Sequence, residues 1–510
     1  MLKETCLCIH GHFYQPPREN PETGEIDLQE SAAPFHDWNE RIHHECYEPN
    51  TKAKVLDEKG KTVKVINNFE RISFNIGPTL FSWLEAKHPE TYQAILAADR
   101  KSQSEHRGHG NAIAQVYNHM IMPLANRRDK ITQTKWGIYE FKQRFKRAPE
   151  GMWIPETACD EETLEVLIDE GIKFTILAPH QAGSVKTAQR NEWHHVSHGA
   201  SNPRISYRCV LRKDPKKTID IFFYDAEVAR EVAFGDLAFE AKKFADFLEH
   251  GKAKGGGTHL QLIHIATDGE TFGHHKAFGE RALAYLLEVE TQKRSFRIVN
   301  YAEFLEENSP THMVRINEGE EGEGTSWSCA HGVKRWQEQC GCRGGGPPEW
   351  TQHWRKPLRK ALDWLRDELV RIYETNVGHF FIDPWHARND YIRLILDPSD
   401  EMKWHFFSKH AKRVLTEEEV VRSLELLEIQ KYAMLMYTSC GWFFTEISGI
   451  ETVQILRYAA CAVLLTQDAV GVPLENEFLY RLSKARSNVH EFRDGRGVYE
   501  KLVKPSLGKK

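Results

Sequence analysis

The sequence predicts an α/β protein, with a barrel-like alternation of strands and helices over residues 1–308 and an all-helical C-terminal domain over 309–510. Three observations carry this. Apolar runs of strand length recur between stretches of helical periodicity. Several of these runs end abruptly in an acid or a histidine beside Gly or Pro, as strands do where they open into the loops of one face of a parallel sheet. Beyond residue 308 long helical patterns follow one another with no convincing strand between them.

In order, TCLCI (5–9) is a strand that breaks at HGHFYQPP (10–17), where Pro16 and Pro17 force the chain to leave extended. The polar stretch 21–62 has little periodicity but carries His36, Trp38, His43, His44 and Cys46, so it reads as a long loop over the same face. A strand at 72–78 and one helix over 79–99 follow. Gly108 and Gly110 mark a strand-to-loop exit toward His119, and a helix covers 127–147. MWIPETACD (152–160) is a short strand ended by Glu156, with Asp160 as N-cap of a helix that stops at Gly171. Strands at 173–178 and 218–224 follow, separated by a less regular stretch with His194, His195 and His198, the first and last of these being surface residues. A helix over 235–250 and a triple glycine at 255–257 lead to QLIHIATDGETFGHH (261–275), a buried strand ended by Asp268. After a helix over 276–290 and a strand at 296–300, the alternation stops near Asn308. In the last 200 or so residues the expected helices are 357–374, 416–436 and 451–467. Residues 437–444 break two of them with exposed rings.

Composition narrows the function. With 68 Lys and Arg against 73 Asp and Glu, the net charge of -5 argues against binding a nucleic-acid backbone. No apolar run reaches signal-peptide or membrane-span length, so a cytoplasmic protein without a membrane partner is expected. Ten cysteines in 510 residues read as reduced thiols. The sequence leaves the oligomeric state open.

Two carboxylates on separate strand ends, Glu156 and Asp268, with His and Trp neighbours, suit glycosidic bond cleavage, in which one carboxylate attacks or stabilises the anomeric carbon and one carboxylic acid protonates the leaving oxygen. Acids at strand ends also cap helices or form ion pairs. Two further readings stand beside this one. A zinc-dependent deacetylase or α-mannosidase type would use His10, His12, Asp268 and His274 or His275, and a non-catalytic glucan-binding protein would keep only the binding groups.

HGHFYQPP, VYNHMIMPL, MWIPETA and ATDGETFGHH resemble, in order, the first four sequence regions of glycoside hydrolase family 57, the retaining α-glucan-active enzymes. The resemblance implies an incomplete (β/α)7 barrel followed by a helical region that closes one side of the cleft. It also implies Glu156 as nucleophile, Asp268 as general acid/base, and His12, Gln15, His119 and Glu270 on the substrate side. His10, Trp153 and His275 stand within or beside the same motifs and join that set, as do Trp327 and Trp442 as sugar platforms. Where the family has a Ser-Asp-Trp-like fifth region, this chain reads SCGWF (439–443), with no Asp beside Trp442. That departure, the 21–62 insertion and the 327–342 loop make it resemble a separate bacterial branch. No cofactor is expected. Cys329, His331, Cys340 and Cys342 have the side-chain types of a zinc or iron–sulfur ligand set at a non-standard spacing, and the expectation is reduced cysteines packed near the cleft, with no metal assigned.

Overall fold

The computed structural model describes residues 5–187, 192–196, 201–252 and 260–507; His198 and the triple glycine at 255–257 lie outside them. The chain divides into two units. The first comprises Met1–Gln15, Leu28–Gln115 and Phe141–Glu318, and the second Pro16–Asp27, Val116–Glu140 and Gly319–Lys510.

The first unit is α/β. Seven strands form a parallel series through it, β1 (Thr5–Phe13), β2 (Ser73–Ile76), β3 (Ala114–Gln115), β4 (Met152–Trp153), β5 (Phe174–Leu177), β6 (Thr218–Phe223) and β7 (Gln261–Asp268), and an eighth strand, Phe296–Ile298, pairs parallel with the first residues of β1. All nine residues of β1 are buried, as expected of a parallel strand covered on both faces. It pairs with β7 along its length, from Thr5 opposite Gln261 to His12 opposite Asp268, and with β2 over its second half. The series continues through a bridge from Phe74 to Ala112, the β3–β4 pair, a bridge from Gly151 to Phe174, and the β5–β6 pair. Between β6 and β7 no ladder forms among the described residues, and a single backbone bond from Asp225 N–H to the His264 carbonyl spans the gap at 2.9 Å. The parallel series is therefore open.

The less regular stretch after β5 turns out to be strand. Ser206–Val210 pairs antiparallel with β6, His312–Ile316 lies parallel to Ser206–Val210, and Ala182–Lys186 and His194–His195 extend this mixed sheet. Because His312–Ile316 is held by these pairings, the first unit reaches Glu318, past the boundary expected at Asn308. Two other expectations change. The helix read over 79–99 is two, Pro78–Lys87 and Pro89–Glu105, because Pro89 lacks the N–H that a continuing helix requires. The 21–62 insertion is ordered as helix from Trp38 to Thr51 and as a hairpin of Ala53–Leu56 with Thr62–Ile66.

Beyond Glu318 the second unit is helical, with no strand among the described residues. Arg355–Val377 buries Leu358, Leu362, Leu365 and Leu369, a stripe at three- and four-residue spacing. Glu417–Leu435 starts with a capping box between Thr416 and Glu419, and Ile450–Val470 stops at Gly471 in the left-handed conformation. The part of helix Arg127–Phe145 up to Glu140 belongs to this unit for a polar reason. Arg388 Nη1 lies 2.8 Å from Asp129 Oδ1 with both side chains buried, and the Trp136 indole N–H donates to the Arg388 and Asn389 carbonyls. No helix among the described residues is long and apolar enough to cross a membrane.

Candidate active site

Seven of the expected site residues gather at or beside the carboxyl ends of β1, β4 and β7 in the first unit. Alternate residues of a strand share a face, so His10 and His12 point the same way, and both stack on Trp153 at the end of β4 (centroids 5.1 and 4.8 Å). Asn75, on β2, orders both rings. Its Nδ2 donates to His12 Nδ1 at 2.9 Å and to Gln115 Oε1 at 2.6 Å, so its Oδ1 receives the His10 Nε2 proton at 3.0 Å. Burial pushes both imidazoles down to about 3, which makes them neutral hydrogen-bonding groups at neutral pH. His10 and Trp153 are completely buried and so support the site from below.

Three residues past Trp153 stands Glu156, half-buried, at φ 56° and ψ 18°; Thr157 follows at φ 48°. Consecutive left-handed residues with side chains cost about 1–3 kcal/mol each, and such turns persist only where neighbours over-determine them. Gln181 does so here. Its Nε2 donates to the Thr157 carbonyl at 2.7 Å while its Oε1 accepts from Thr157 Oγ1 and Ala178 N–H, both at 2.8 Å. Asp160 then caps the next helix through Thr163 N–H. The backbone is thus bent to present the Glu156 side chain.

Asp268 ends β7 opposite His12. The residue is exposed by surface area, while protein atoms surround the carboxyl group closely enough to desolvate it. The carboxyl is pushed up to about 7, first by desolvation and second by the charge of Glu156. Burial and the Asp268 charge also hold the Tyr224 hydroxyl protonated. Glu270, two residues on, is buried; it accepts from Tyr14 N–H at 3.0 Å and from the Tyr47 hydroxyl at 2.6 Å, and desolvation pushes it up to about 8. Gln15 is buried and donates to the Tyr14 carbonyl at 2.9 Å. His275 is exposed, its N–H on the Glu270 carbonyl, and His274 Nδ1 lies 2.5 Å from Glu45 Oε2.

Tyr47, Asn75, Gln181 and Tyr224 had no motif to announce them. The insertion's aromatics were the only hint of Tyr47, and the structure seats that insertion on the Asp268 loop. Asn50 Nδ2 donates to the Phe272 carbonyl at 2.7 Å, and Gly273 has φ 142°, with the Glu45 carbonyl 2.3 Å from where a Cβ would stand. Gly273→Ala is therefore expected to destabilise the chain by about 2 kcal/mol, read as a lower midpoint in urea.

His119, Trp327 and Trp442 lie in the second unit. His119 Nδ1 is 2.6 Å from Ser439 Oγ, and Trp327 is half-buried. Trp442 corrects an expectation. Its ring is fully buried, parallel to Tyr437 at 6.1 Å and with the Arg359 guanidinium 4.3 Å from its centroid, so it packs the unit and offers no face to a sugar.

Two acids at parallel strand ends, one of them raised to about 7, are the kind of pair that glycosidic bond cleavage uses. Residues 17–317 match the model of Glycosyl hydrolase family 57, and the chain belongs to that family. The match reaches the family and no particular branch of it. Residues 350–509 match a Domain of unknown function (DUF3536). Alpha-amylase 1 of Dictyoglomus thermophilum is 24% identical over 106 residues, which are 21% of this chain and 15% of that protein. Among solved structures, the exo-type maltose-forming amylase of Pyrococcus sp. ST04 is similar at TM-score 0.67 and 14% identity over 97% of this chain and 90% of that one. The family 57-type branching enzyme of Pyrococcus horikoshii is similar at TM-score 0.56 and 15% identity over 100% and 98%. At these identities the likeness is one of fold.

Proposed function

We propose that the chain is a retaining α-glycoside hydrolase or glucan transferase acting on an α-glucan or related oligosaccharide, with the open series of seven parallel strands read as an incomplete (β/α)7 barrel. The observation that carries this is the placing of Glu156 just past the end of β4 and of Asp268 at the end of β7, with desolvation and the Glu156 charge raising the Asp268 carboxyl to about 7, so that a proton is still available there near neutral pH. In the first step a Glu156 oxygen bonds to the anomeric carbon as the glycosidic C–O bond breaks and the Asp268 proton passes to the leaving oxygen. In the second, Asp268 as carboxylate takes a proton from water or an acceptor sugar, whose oxygen displaces Glu156. The neutral His12 can donate to sugar hydroxyls without adding charge beside the two acids, and Glu270, tied to Tyr14 and Tyr47, fixes the loop that carries Asp268.

The zinc-based alternative finds its ligands already committed. His10 has its ring nitrogens on Ser73 and Asn75, and His274 is paired with Glu45. Proton NMR of the first product from a soluble α-glucan tests the proposal. The α-anomer, or new α-linkages if a sugar acceptor wins, is expected; the β-anomer overturns the retaining mechanism, and glucan binding with no product overturns the enzyme.

A further inference from the structure

The second unit holds a cluster with no part in this chemistry. The segment between residues 325 and 346 has one short helical turn, Lys334–Trp336, yet it brings Cys329, His331, Cys340 and Cys342 to one point. Their ligand atoms all lie within 4.8 Å of one another. Cys329 Sγ is 3.9 Å from Cys340 Sγ and 3.8 Å from Cys342 Sγ, and Cys342 Sγ is 3.7 Å from His331 Nδ1. A disulfide would bring two sulfurs to about 2.05 Å, and all of these cysteines are free. Four donors around a tetrahedral ion with Zn–S of about 2.3 Å and Zn–N of about 2.0 Å have edges of about 3.8 Å between sulfurs and about 3.5 Å from sulfur to nitrogen. The observed edges match those of a single ion. A polynuclear iron–sulfur cluster spreads its thiolates over several irons and holds them farther apart.

The backbone serves this convergence. Gly341, at φ 88°, reverses the chain between Cys340 and Cys342 so that both thiols turn to the same point, a conformation a side chain would oppose. Two buried arginines brace the ligand loops. Arg335 donates to the Ser328 and Arg343 carbonyls, one residue from Cys329 and Cys342, and Arg355 donates to the Cys342 carbonyl from the first turn of Arg355–Val377. Among the described residues neither arginine forms an ion pair with a carboxylate, although both are buried. Buried charges are costly without a counter-charge. Three thiolates and a neutral imidazole on a divalent ion carry a net charge of minus one and would supply it.

The geometry points to a structural zinc site of the Cys3His type, formed by Cys329, His331, Cys340 and Cys342, that ties an otherwise irregular loop to the helical unit. With four protein ligands it has no open position, so its role is to hold the loop. This inference stands apart from the glycosidase reading and either can fail alone.

The test is the metal content of the purified full-length chain by inductively coupled plasma mass spectrometry. About one zinc per chain is expected in the wild type, falling several-fold in Cys340→Ser and Cys342→Ser. Because those variants could misfold, the wild type is also stripped with a chelator under reducing conditions and titrated with Co(II). Intense visible d–d bands and a thiolate-to-metal charge-transfer band are expected, with a red shift in His331→Cys. Stoichiometric iron, a Cys329–Cys340 disulfide in the chain as purified, or Co(II) spectra of octahedral oxygen ligation overturns the assignment.

Discussion

Glu156→Gln brings kcat/KM on an α-glucan down by at least about ten-thousandfold, equivalent to about 5.5 kcal/mol of transition-state stabilisation, with the thermal midpoint unchanged. The amide fills the same volume but cannot bond to the anomeric carbon. The turn that presents it is held by Gln181 on Thr157 and by Asp160 on Thr163, none of which uses the Glu156 carboxylate. A companion variant separates chemistry from packing. Glu156→Ala with added azide is expected to recover activity and to yield the glycosyl azide of inverted configuration, since a small anion can then attack from the vacated side. Activity of Glu156→Gln within tenfold of wild type would rule out Glu156 as the nucleophile.

Asp268→Asn is expected to lose about 10²- to 10⁴-fold on natural glucan, the usual value of a positioned acid. The loss should nearly vanish for bond cleavage in an aryl glycoside whose leaving phenol is acidic enough to depart unprotonated. A nucleophile variant shows no such dependence on the leaving group. The wild-type kcat/KM profile should have an alkaline limb near pH 7, where Asp268 loses the proton it has to deliver, and the variant should lack it. Stability follows from the same shift. The folded carboxyl titrates near 7 and an unfolded one near 3.9, so the stability it contributes is fully present below about pH 4 and is lost as pH rises through about 7. Glu270, raised to about 8, acts in the same direction. Asp268→Asn should therefore melt higher than wild type at pH 8.5, with the difference shrinking toward pH 4. An equal difference at both pH values would remove the linkage.

The alternation of apolar runs and helical stripes was enough to read an α/β region followed by helices, because burial of a parallel strand and of a helix face each leaves a period in the sequence. The strand ended by Asp268 and the short one before Glu156 were legible for that reason. The inner strands Ser206–Val210 and His312–Ile316 of the mixed sheet were not, since each is short, mixes buried with partly exposed residues and is defined by its pairing partners. Trp442 misled because an indole next to a helix break looks exposed until Tyr437 and Arg359 close over it.

The residue types of the site, two acids with a His-x-His pair and a nearby Trp, were determined by the sequence alone, because strand ends and their motifs are local. That Asp268 titrates near neutrality, that Tyr47 reaches Glu270 from an insertion, and that Cys329 meets Cys340 and Cys342 were decided only by the tertiary structure. Desolvation, Coulombic coupling and metal-ligand geometry act through space between groups distant in the chain, and no periodicity along the chain encodes them.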